Sequence, residues 1–211
     1  MTNVPLKKSY SGGRPSRDAV EELDARLIAC ASRLFMERGY AGTSIEAVAA
    51  EAGAGKNTIY RRYPTKADLF QAVVDEQIRT LLRAPDSVAE GDLESGLRQL
   101  AVTLLQAALN PETTAFQRLV IAEAERFPEI AAICLDRAFR PAIAMARAVL
   151  SNDRRASAEN LDEAAEQFVA AVVYGPHLHA LMGHRLFETH AEIERHAEGA
   201  VSLFVRGLGH R

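Results

Sequence analysis

Residues 56–63 form a short predicted helix that carries the most informative side chains of the sequence. At about 100° per residue, Ile59 and Tyr63 fall on one arc of this helix and the polar side chains fall on another. The polar arc consists of Lys56, Asn57, Tyr60 and Arg61. Lysine can donate to guanine acceptors, asparagine can bond an adenine edge through two hydrogen bonds, and arginine can reach bases or phosphates. The spacing predicts that the first arc packs inside the protein and that Lys56, Asn57 and Arg61 face DNA bases.

A second short helix precedes this one, and a glycine-rich turn joins the two. It begins at Thr43 or Ser44, where Glu46 completes a capping box with Thr43, and it stops at Gly53. Two short helices joined by the turn at residues 52–55 have the spacing of a helix-turn-helix, in which glycine permits the tight turn. A solvated basic helix between two others is the alternative that spacing alone leaves open.

Hydroxyl and amino groups near this helix pair are suited to the phosphates that flank a groove, and amides at helix starts can assist them. The predicted phosphate contacts are Thr43, Ser44, Thr58, Tyr60, Tyr63 and Lys66. Residues 1–17 read as a flexible basic tail in which Arg14 is placed to enter an adjacent minor groove. The alternative is a leader without a role in DNA binding.

The charge of the chain is divided unevenly between its two ends. Residues 1–66 contain eleven Lys or Arg against seven Asp or Glu, whereas the remainder contains fourteen against twenty-one. A basic end joined to an acidic body suggests separate tasks, one of them at nucleic acid.

The sequence contains no uninterrupted run of about 18 apolar residues, the length that a membrane-spanning helix needs. The first residues also lack the apolar stretch of a secretory signal. We therefore expect a cytoplasmic protein with no membrane partner.

Cysteine and histidine spacing gives no metal site. Cys30 and Cys134 are far apart and both lie in helical patterns, which favours buried reduced thiols. His177 and His179 are two residues apart and point about 200° away from each other on a helix, whereas a helical metal pair needs a spacing of three or four. We also find no nucleophile with a base, no paired carboxylates and no phosphate-binding loop. The sequence predicts no metal, no cofactor and no catalytic residue.

The rest of the chain shows helical periodicity without a strand pattern, which predicts an all-α protein. A first helix is expected at about residues 18–38, stopping at Gly39, and a fourth, capped by Thr65, reaches about Arg83. Proline and loop residues separate the later helices. These are expected at about residues 91–109, 112–126, 129–150, 160–184 and 189–207.

The segment from Ala25 to Phe70 closely resembles the DNA-binding domain of the TetR family of one-component transcription regulators. The matching residues are Leu34-Phe35 before Gly39-Tyr40, Thr43-Ser44, Ile45 to Ala49, Ala52-Gly53, Thr58-Ile59-Tyr60-Arg61 and Tyr63-Pro64-Thr65-Lys66. More weakly, FQRLVIAEAERFPEI and LDEAAEQFVAAVVYGP resemble the C-terminal domain of the AefR-like branch.

The resemblance implies a three-helix helix-turn-helix head at residues 18–66, followed by a larger helical bundle at residues 67–211, about nine helices in all. Thr58, Tyr60 and Lys66 match the family's phosphate-contacting positions, and Asn57 matches a base-contacting position. Two departures from the family pattern are Gly55, where a serine cap is frequent, and Arg62, where histidine is frequent.

The bundle of such proteins dimerises and binds a small inducer. Small and apolar residues on the last two helices predict a four-helix interface between two chains, although a stripe of this width fits a protomer core equally well. The predicted interface residues are Leu161, Ala165, Phe168, Val172, Ile193, Ala197, Val201 and Phe204.

An apolar set with sparse polar groups on the internal helices is typical of a small-molecule pocket, and core packing is its alternative. The predicted pocket residues are Phe116, Leu119, Val120, Glu123, Phe127, Cys134, Met145, Tyr174 and His177. The sequence thus predicts a homodimeric repressor that a hydrophobic or aromatic inducer releases from a palindromic duplex DNA operator. A helical interaction module without DNA binding is the competing interpretation.

Overall fold

The computed structural model describes residues 17–81, 92–151 and 160–208. Every regular element in these ranges is helical, which confirms the all-α prediction. Four helices make up the N-terminal part, and their ends agree with the local signals to within a few residues. They are α1 (Arg17–Gly42), α2 (Ile45–Glu51), α3 (Lys56–Arg62) and α4 (Lys66–Leu81).

The C-terminal part contains seven further α-helical segments. They are α5 (Leu93–Leu109), α6 (Pro111–Glu123), α7 (Pro128–Cys134), α8 (Arg140–Leu150), α9 (Leu161–Val169), α10 (Gly175–Leu181) and α11 (His190–Leu208). Two π-helical turns, Leu135–Phe139 and Ala170–Tyr174, join α7 to α8 and α9 to α10 without a break. The described residues therefore form nine continuous helices, as expected.

Proline explains why these two long helices widen. Pro141 and Pro176 each follow a π-helical turn within two residues. A proline inside a helix has no N–H for the carbonyl four residues earlier, and its ring crowds that carbonyl; a wider turn relieves the conflict. For Pro176 that carbonyl belongs to Val172, and the imidazole Nε2 of His196 donates to it at 3.1 Å.

One hydrophobic core unites the N-terminal helices with α6 and α7. Phe35, Tyr40 and Phe70 pack with ring centroids 5.3–5.6 Å apart, and Phe116 of α6 stacks on Phe70 at 5.1 Å. Phe116, Val120 and Ile130 are all buried in this cluster. The N-terminal helices therefore share their core with the bundle, so their position is fixed relative to α6 and α7.

A second core lies between α5, α8, α9 and α11, and it corrects the predicted dimer interface. Six of the predicted interface residues are buried within the protomer, and two more pack against them. The six are Leu161, Ala165, Phe168, Val172, Ala197 and Val201, and the two are Ile193 and Phe204. The alternative interpretation, a protomer core, is the correct one for the six buried residues, because an apolar stripe looks the same in the sequence whichever helix covers it. An interface contact stays a prediction for Ile193 and Phe204, which are only partly buried.

Glu123, at the C-terminal end of α6, holds the end of α1. Its carboxylate accepts hydrogen bonds from the backbone N–H groups of Tyr40 at 2.6 Å and Ala41 at 2.8 Å. Gly39 permits this turn because its φ is +75°, and a Cβ there would lie 2.5 Å from Glu123 Oε1. We call these two bonds the head–body clamp. They place Glu123 at a helix junction, with both carboxylate oxygens engaged by backbone N–H groups. A ligand contact by Glu123 stays a prediction.

The clamp gives a stability prediction. Glu123→Ala removes a charged acceptor from two amides, so we expect the free energy of unfolding to fall by about 2 kcal/mol in urea titrations. Glu125→Ala is the matched control, since Glu125 is exposed in the same turn region, and should change the value by less than about 0.5 kcal/mol. Equal losses in both variants would show that the clamp does not contribute specifically.

Candidate functional site

The buried side of α3 is anchored to α1. Ile59 is fully buried, and the Tyr63 hydroxyl donates to Asp24 at 2.8 Å while Arg62 pairs with the same carboxylate at 3.1 Å. Burial and the Asp24 hydrogen bond raise the pKa of Tyr63 above its ordinary range. The packing arc is therefore confirmed. Tyr63 is corrected as a phosphate contact, because its hydroxyl is already engaged in the protein interior.

The opposite side of α3 is exposed, as the helical projection predicts. The exposed side chains are Lys56, Asn57, Tyr60 and Arg61. Within the described part of the chain, Asn57 and Arg61 make no hydrogen bond or ion pair, so both are available to a ligand outside the protein. Contact with DNA bases stays a prediction for Lys56, Asn57 and Arg61.

An acidic residue of α2 lies against this exposed face. The Glu46 carboxylate accepts a hydrogen bond from the Tyr60 hydroxyl at 2.6 Å and pairs with Lys56 Nζ at 3.2 Å. The Tyr60 hydrogen bond is the main cause that lowers the pKa of Glu46 to about 2. Glu46 is therefore ionised at neutral pH and occupies donors that a phosphate could use. Sequence reasoning assigned Glu46 to a capping box and missed this role.

The two residues that were predicted to cap α2, Thr43 and Ser44, have different roles in the structure. Ser44 is the N-cap, with Oγ accepting from the Ala47 N–H at 3.1 Å, and it stays exposed. Thr43 is buried, and its single hydroxyl hydrogen is shared between the carbonyl oxygens of Leu34 at 3.0 Å and Gly39 at 2.8 Å. Thr43 is therefore corrected as a phosphate contact, whereas Ser44 remains a candidate.

Lys66 is drawn into the protein at the start of α4. Its ammonium group donates to the Tyr40 carbonyl at 2.7 Å and lies 4.3 Å from the centre of the Tyr40 ring. Burial lowers the pKa of Lys66. A phosphate contact by Lys66 would require it to leave this position. Thr58 is half-buried and remains a candidate, and Arg14 lies outside the described residues.

An apolar cavity of about 100 Å³ lies inside the bundle. It is lined by Ile78, Leu81, Leu104, Ala107, Ala108, Thr113, Gln117, Ala138, Phe139, Ala142, Val169 and Val173. Five helices (α4, α5, α6, α8 and α9) and both π-helical turns contribute to this wall, which explains why a local pattern did not find it. Two larger clefts, of about 370 and 310 Å³, lie on other faces.

None of the nine predicted pocket residues lines any of these three cavities. Phe116 and Val120 belong to the first core, with Leu119, Phe127 and Cys134 packed against it. Met145 packs against the second core, and Tyr174 is exposed. His177 comes nearest, since its ring contacts two residues of the cavity wall, Ala108 and Gln117. Core packing, the alternative interpretation, holds for most of the set.

The described residues were also compared with the requirements of a metal site and of a membrane-spanning helix. Within residues 17–81, 92–151 and 160–208 there is no group of three or more His, Cys, Asp or Glu side chains that could hold a metal ion. No helix in these ranges is both long enough and apolar enough to cross a membrane.

Family comparisons agree with this geometry over both parts of the chain. Residues 27–73 match the family described as bacterial regulatory proteins, tetR family. Residues 95–208 match the AefR-like transcriptional repressor C-terminal domain, more than half of the chain. The protein therefore belongs to the TetR family of DNA-binding transcription regulators, in its AefR-like branch.

Individual relatives give the same classification. The chain is 35% identical over 107 residues to an uncharacterised HTH-type transcriptional regulator of Mycobacterium tuberculosis, Rv1556, covering 51% of this chain and 50% of that protein. It is 37% identical over 90 residues to the HTH-type transcriptional repressor Rv3405c of the same organism, covering 40% and 48%. The chain thus spans about half the length of the curated relatives it matches.

Two solved structures share the fold over most of both chains. The flavonoid-responsive regulator FrrA superposes with a TM-score of 0.76 at 27% identity, covering 89% of this chain and 97% of that one. A protein from Mesorhizobium loti, described as a TetR-family transcriptional regulator, gives 0.69 at 28% identity, covering 92% and 98%. These structures confirm the arrangement of a helix-turn-helix head on a helical bundle.

The position of Glu46 gives a prediction about DNA affinity. Glu46→Gln removes a negative charge beside Lys56 and Tyr60, so affinity for an arbitrary DNA duplex should rise about fivefold at low salt. Fluorescence anisotropy with a labelled duplex measures this change. Glu163→Gln, on the exposed side of α9, is the matched control and should leave affinity unchanged. A loss of affinity in the Glu46 variant would instead mean that this carboxylate positions Tyr60 for DNA.

Proposed function

We propose that this protein is a cytoplasmic, homodimeric repressor that binds a palindromic operator and leaves it when a small apolar molecule binds the bundle. The observation that carries the proposal is the exposed face of α3, where Asn57 and Arg61 are free while Ile59 and Tyr63 anchor the helix. To read bases in the major groove, a helix needs a buried side that is held in place and exposed polar side chains that are free to form hydrogen bonds. The proposal involves no cofactor besides the effector.

Dimer formation is supported by apolar side chains that the protomer leaves exposed. Tyr174, Leu178 and Met182 follow each other at intervals of four residues and are 55%, 54% and 78% exposed. Leu203 of α11 is 72% exposed, and α11 packs against the π-helical turn that contains Tyr174. A second copy of the chain related by a twofold axis would cover both surfaces and present two α3 helices to a palindromic site.

An apolar effector is supported by the cavity and by one relative. The cavity wall is almost wholly apolar and lies in the bundle, and FrrA is described as flavonoid-responsive. Helix α6 lines the cavity with Gln117 and ends at Glu123 in the head–body clamp. Helix α4 lines it with Ile78 and begins at Lys66 beside Tyr40. A ligand that displaces either helix would move the head, as a switch between two states requires.

Operator binding is tested by footprinting the protein on genomic DNA and then mutating the recovered site. Asn57→Ala should relax preference at one base pair, costing about 1–3 kcal/mol there, because it removes a base contact. Asn160→Ala is the matched control on the bundle and should keep the full preference. If the protein shows no salt-dependent association with duplex DNA, the interaction module without DNA binding is favoured instead.

Dimerisation gives a separate test. Leu178→Glu and Leu203→Glu each place a charge in the proposed interface, so sedimentation equilibrium should show a shift from twice the chain mass to the monomer mass of 23.0 kDa. Ile121→Glu is the control, because Ile121 is 62% exposed on α6 and outside the proposed interface. A dimer that survives both substitutions would place the interface elsewhere.

A further inference from the structure

The cleft of about 370 Å³ lies between the end of α5, the start of α6, the end of α10 and the start of α11. It shares no lining residue with the apolar cavity of the bundle. Small-molecule sites have volumes of about 300–1,000 Å³, so this cleft is large enough for a ligand. Most of its wall is apolar and consists of Leu109, Pro111, Ala180, Leu186, Phe187 and Ile193.

The charged side chains of this cleft are all of one sign. Arg118 and Arg185 line it together with His184, whereas none of its described lining residues is Asp or Glu. Arg185 pairs with Glu188 at 3.6 Å, but both side chains are about 70% exposed, so this pair is weak and leaves Arg185 available. The cleft therefore favours a ligand with negative charge.

Arg118 is held in a fixed orientation by the end of α10. Its Nε donates to the carbonyl oxygen of Leu181 at 2.7 Å, and its Nη2 donates to that of Ala180 at 2.5 Å. The last carbonyl groups of a helix have no partner within the helix, so they are natural acceptors for this side chain. These two bonds use one edge of the planar guanidinium group.

The other edge of the Arg118 guanidinium group is free. It consists of Nη1 and the second hydrogen of Nη2, and Nη1 makes no hydrogen bond to any part of the chain that the structure describes. Two parallel N–H groups of arginine match the two oxygens of a carboxylate, and such a pair is stronger than a hydrogen bond between neutral groups. Because the first edge is already fixed, little conformational entropy is lost when the second edge binds.

The apolar wall limits the rest of the ligand. An inorganic anion would leave Leu109, Phe187 and Ile193 without an apolar partner, and a neutral alcohol can occupy only one of the two parallel N–H groups. A cationic amine would be repelled by both arginines. A small carboxylate with an apolar body satisfies both the guanidinium edge and the wall.

We propose that this cleft binds an apolar monocarboxylate, such as an arylalkanoate, with its two oxygens on the free edge of Arg118 and its apolar body against Phe187. Arg118 belongs to α6, the helix that ends at Glu123 in the head–body clamp. The site is separate from the bundle cavity, and binding to it is measured without DNA. It is therefore independent of the proposed regulator.

The test compares three compounds at pH 7 by isothermal titration calorimetry with the full chain: 3-phenylpropanoate, 3-phenylpropan-1-ol and inorganic phosphate. We expect 3-phenylpropanoate to bind with a dissociation constant of about 1 mM or lower. The alcohol should bind about tenfold more weakly, because it loses the charge-assisted pair of hydrogen bonds. Phosphate should also bind about tenfold more weakly, because it has no apolar body to bury.

Two variants locate the binding site. Arg118→Lys keeps the positive charge but cannot present two parallel N–H groups, so it should reduce the preference for the carboxylate over the alcohol to about twofold. Arg98→Lys is the matched control, because Arg98 is an exposed arginine of α5 that pairs with Glu94 outside the cleft. It should keep the tenfold preference.

Leu186→Glu adds a negative charge to the wall at a side chain that is 41% exposed, so the variant should fold and bind the carboxylate at least about tenfold more weakly. Leu135→Glu is its control, because Leu135 is 57% exposed and does not line the cleft. Thermal unfolding of all four variants checks that each is folded.

Three results would overturn the inference: no measurable binding, equal affinity for the carboxylate and the alcohol, or a tenfold preference retained by Arg118→Lys. Phosphate binding as tight as that of 3-phenylpropanoate would mean that the arginines attract any anion, and this too would overturn it. A specific footprint on DNA beside any of these results leaves the proposed regulator intact. Arg118-dependent binding of the carboxylate without a footprint would overturn only the regulator.

Discussion

The two hydrogen bonds from the Tyr40 and Ala41 amides to Glu123 are the interaction on which the position of the DNA-binding head depends. Gly39 turns the backbone at positive φ so that both amides meet one carboxylate, and Lys66 holds the Tyr40 carbonyl from the other side. The Tyr40 carbonyl and the Ala41 N–H belong to the same peptide bond, and each is hydrogen-bonded to a charged side chain. Because α2 and α3 follow directly, α3 is positioned by the bundle as well as by the core of the N-terminal helices.

Helix α6 connects this clamp to the interior of the bundle. Thr113 and Gln117 line the apolar cavity, and Glu123 lies ten residues after Thr113, about 15 Å along the helix axis. A helix moves as a nearly rigid body, so a displacement at one end reaches the other. Helix α4 makes a second connection, from Leu81 at the cavity to Lys66 beside Tyr40. Cavity and head therefore share two rigid elements in place of a single flexible linker.

The sequence predicted the helices well where the signals are local. Gly53 and Pro64 mark helix ends, Gly39 marks the point where α1 loses helical geometry, and the exposed face of α3 follows from its period. The pairings of Glu46 with Tyr60 and of Asp24 with Tyr63 were missed, since they join residues 14 and 39 positions apart. The buried Thr43 hydroxyl was missed for a related reason: a threonine at a helix start reads as a cap whether it faces solvent or the core.

The sequence by itself determined an all-α chain, a helix-turn-helix and the two faces of its second helix, because periodicity and turn chemistry are properties of a few consecutive residues. Only the tertiary structure decided which apolar stripe faces the same protomer and which faces outward. Phe168 and Val201 are buried, whereas Leu178 and Leu203 are exposed, although all four lie in similar amphipathic patterns. The hydrophobic effect rewards burial against any apolar partner, so the identity of that partner depends on long-range packing. The cavity follows the same rule, since it exists only where several helices fail to fill the space between them.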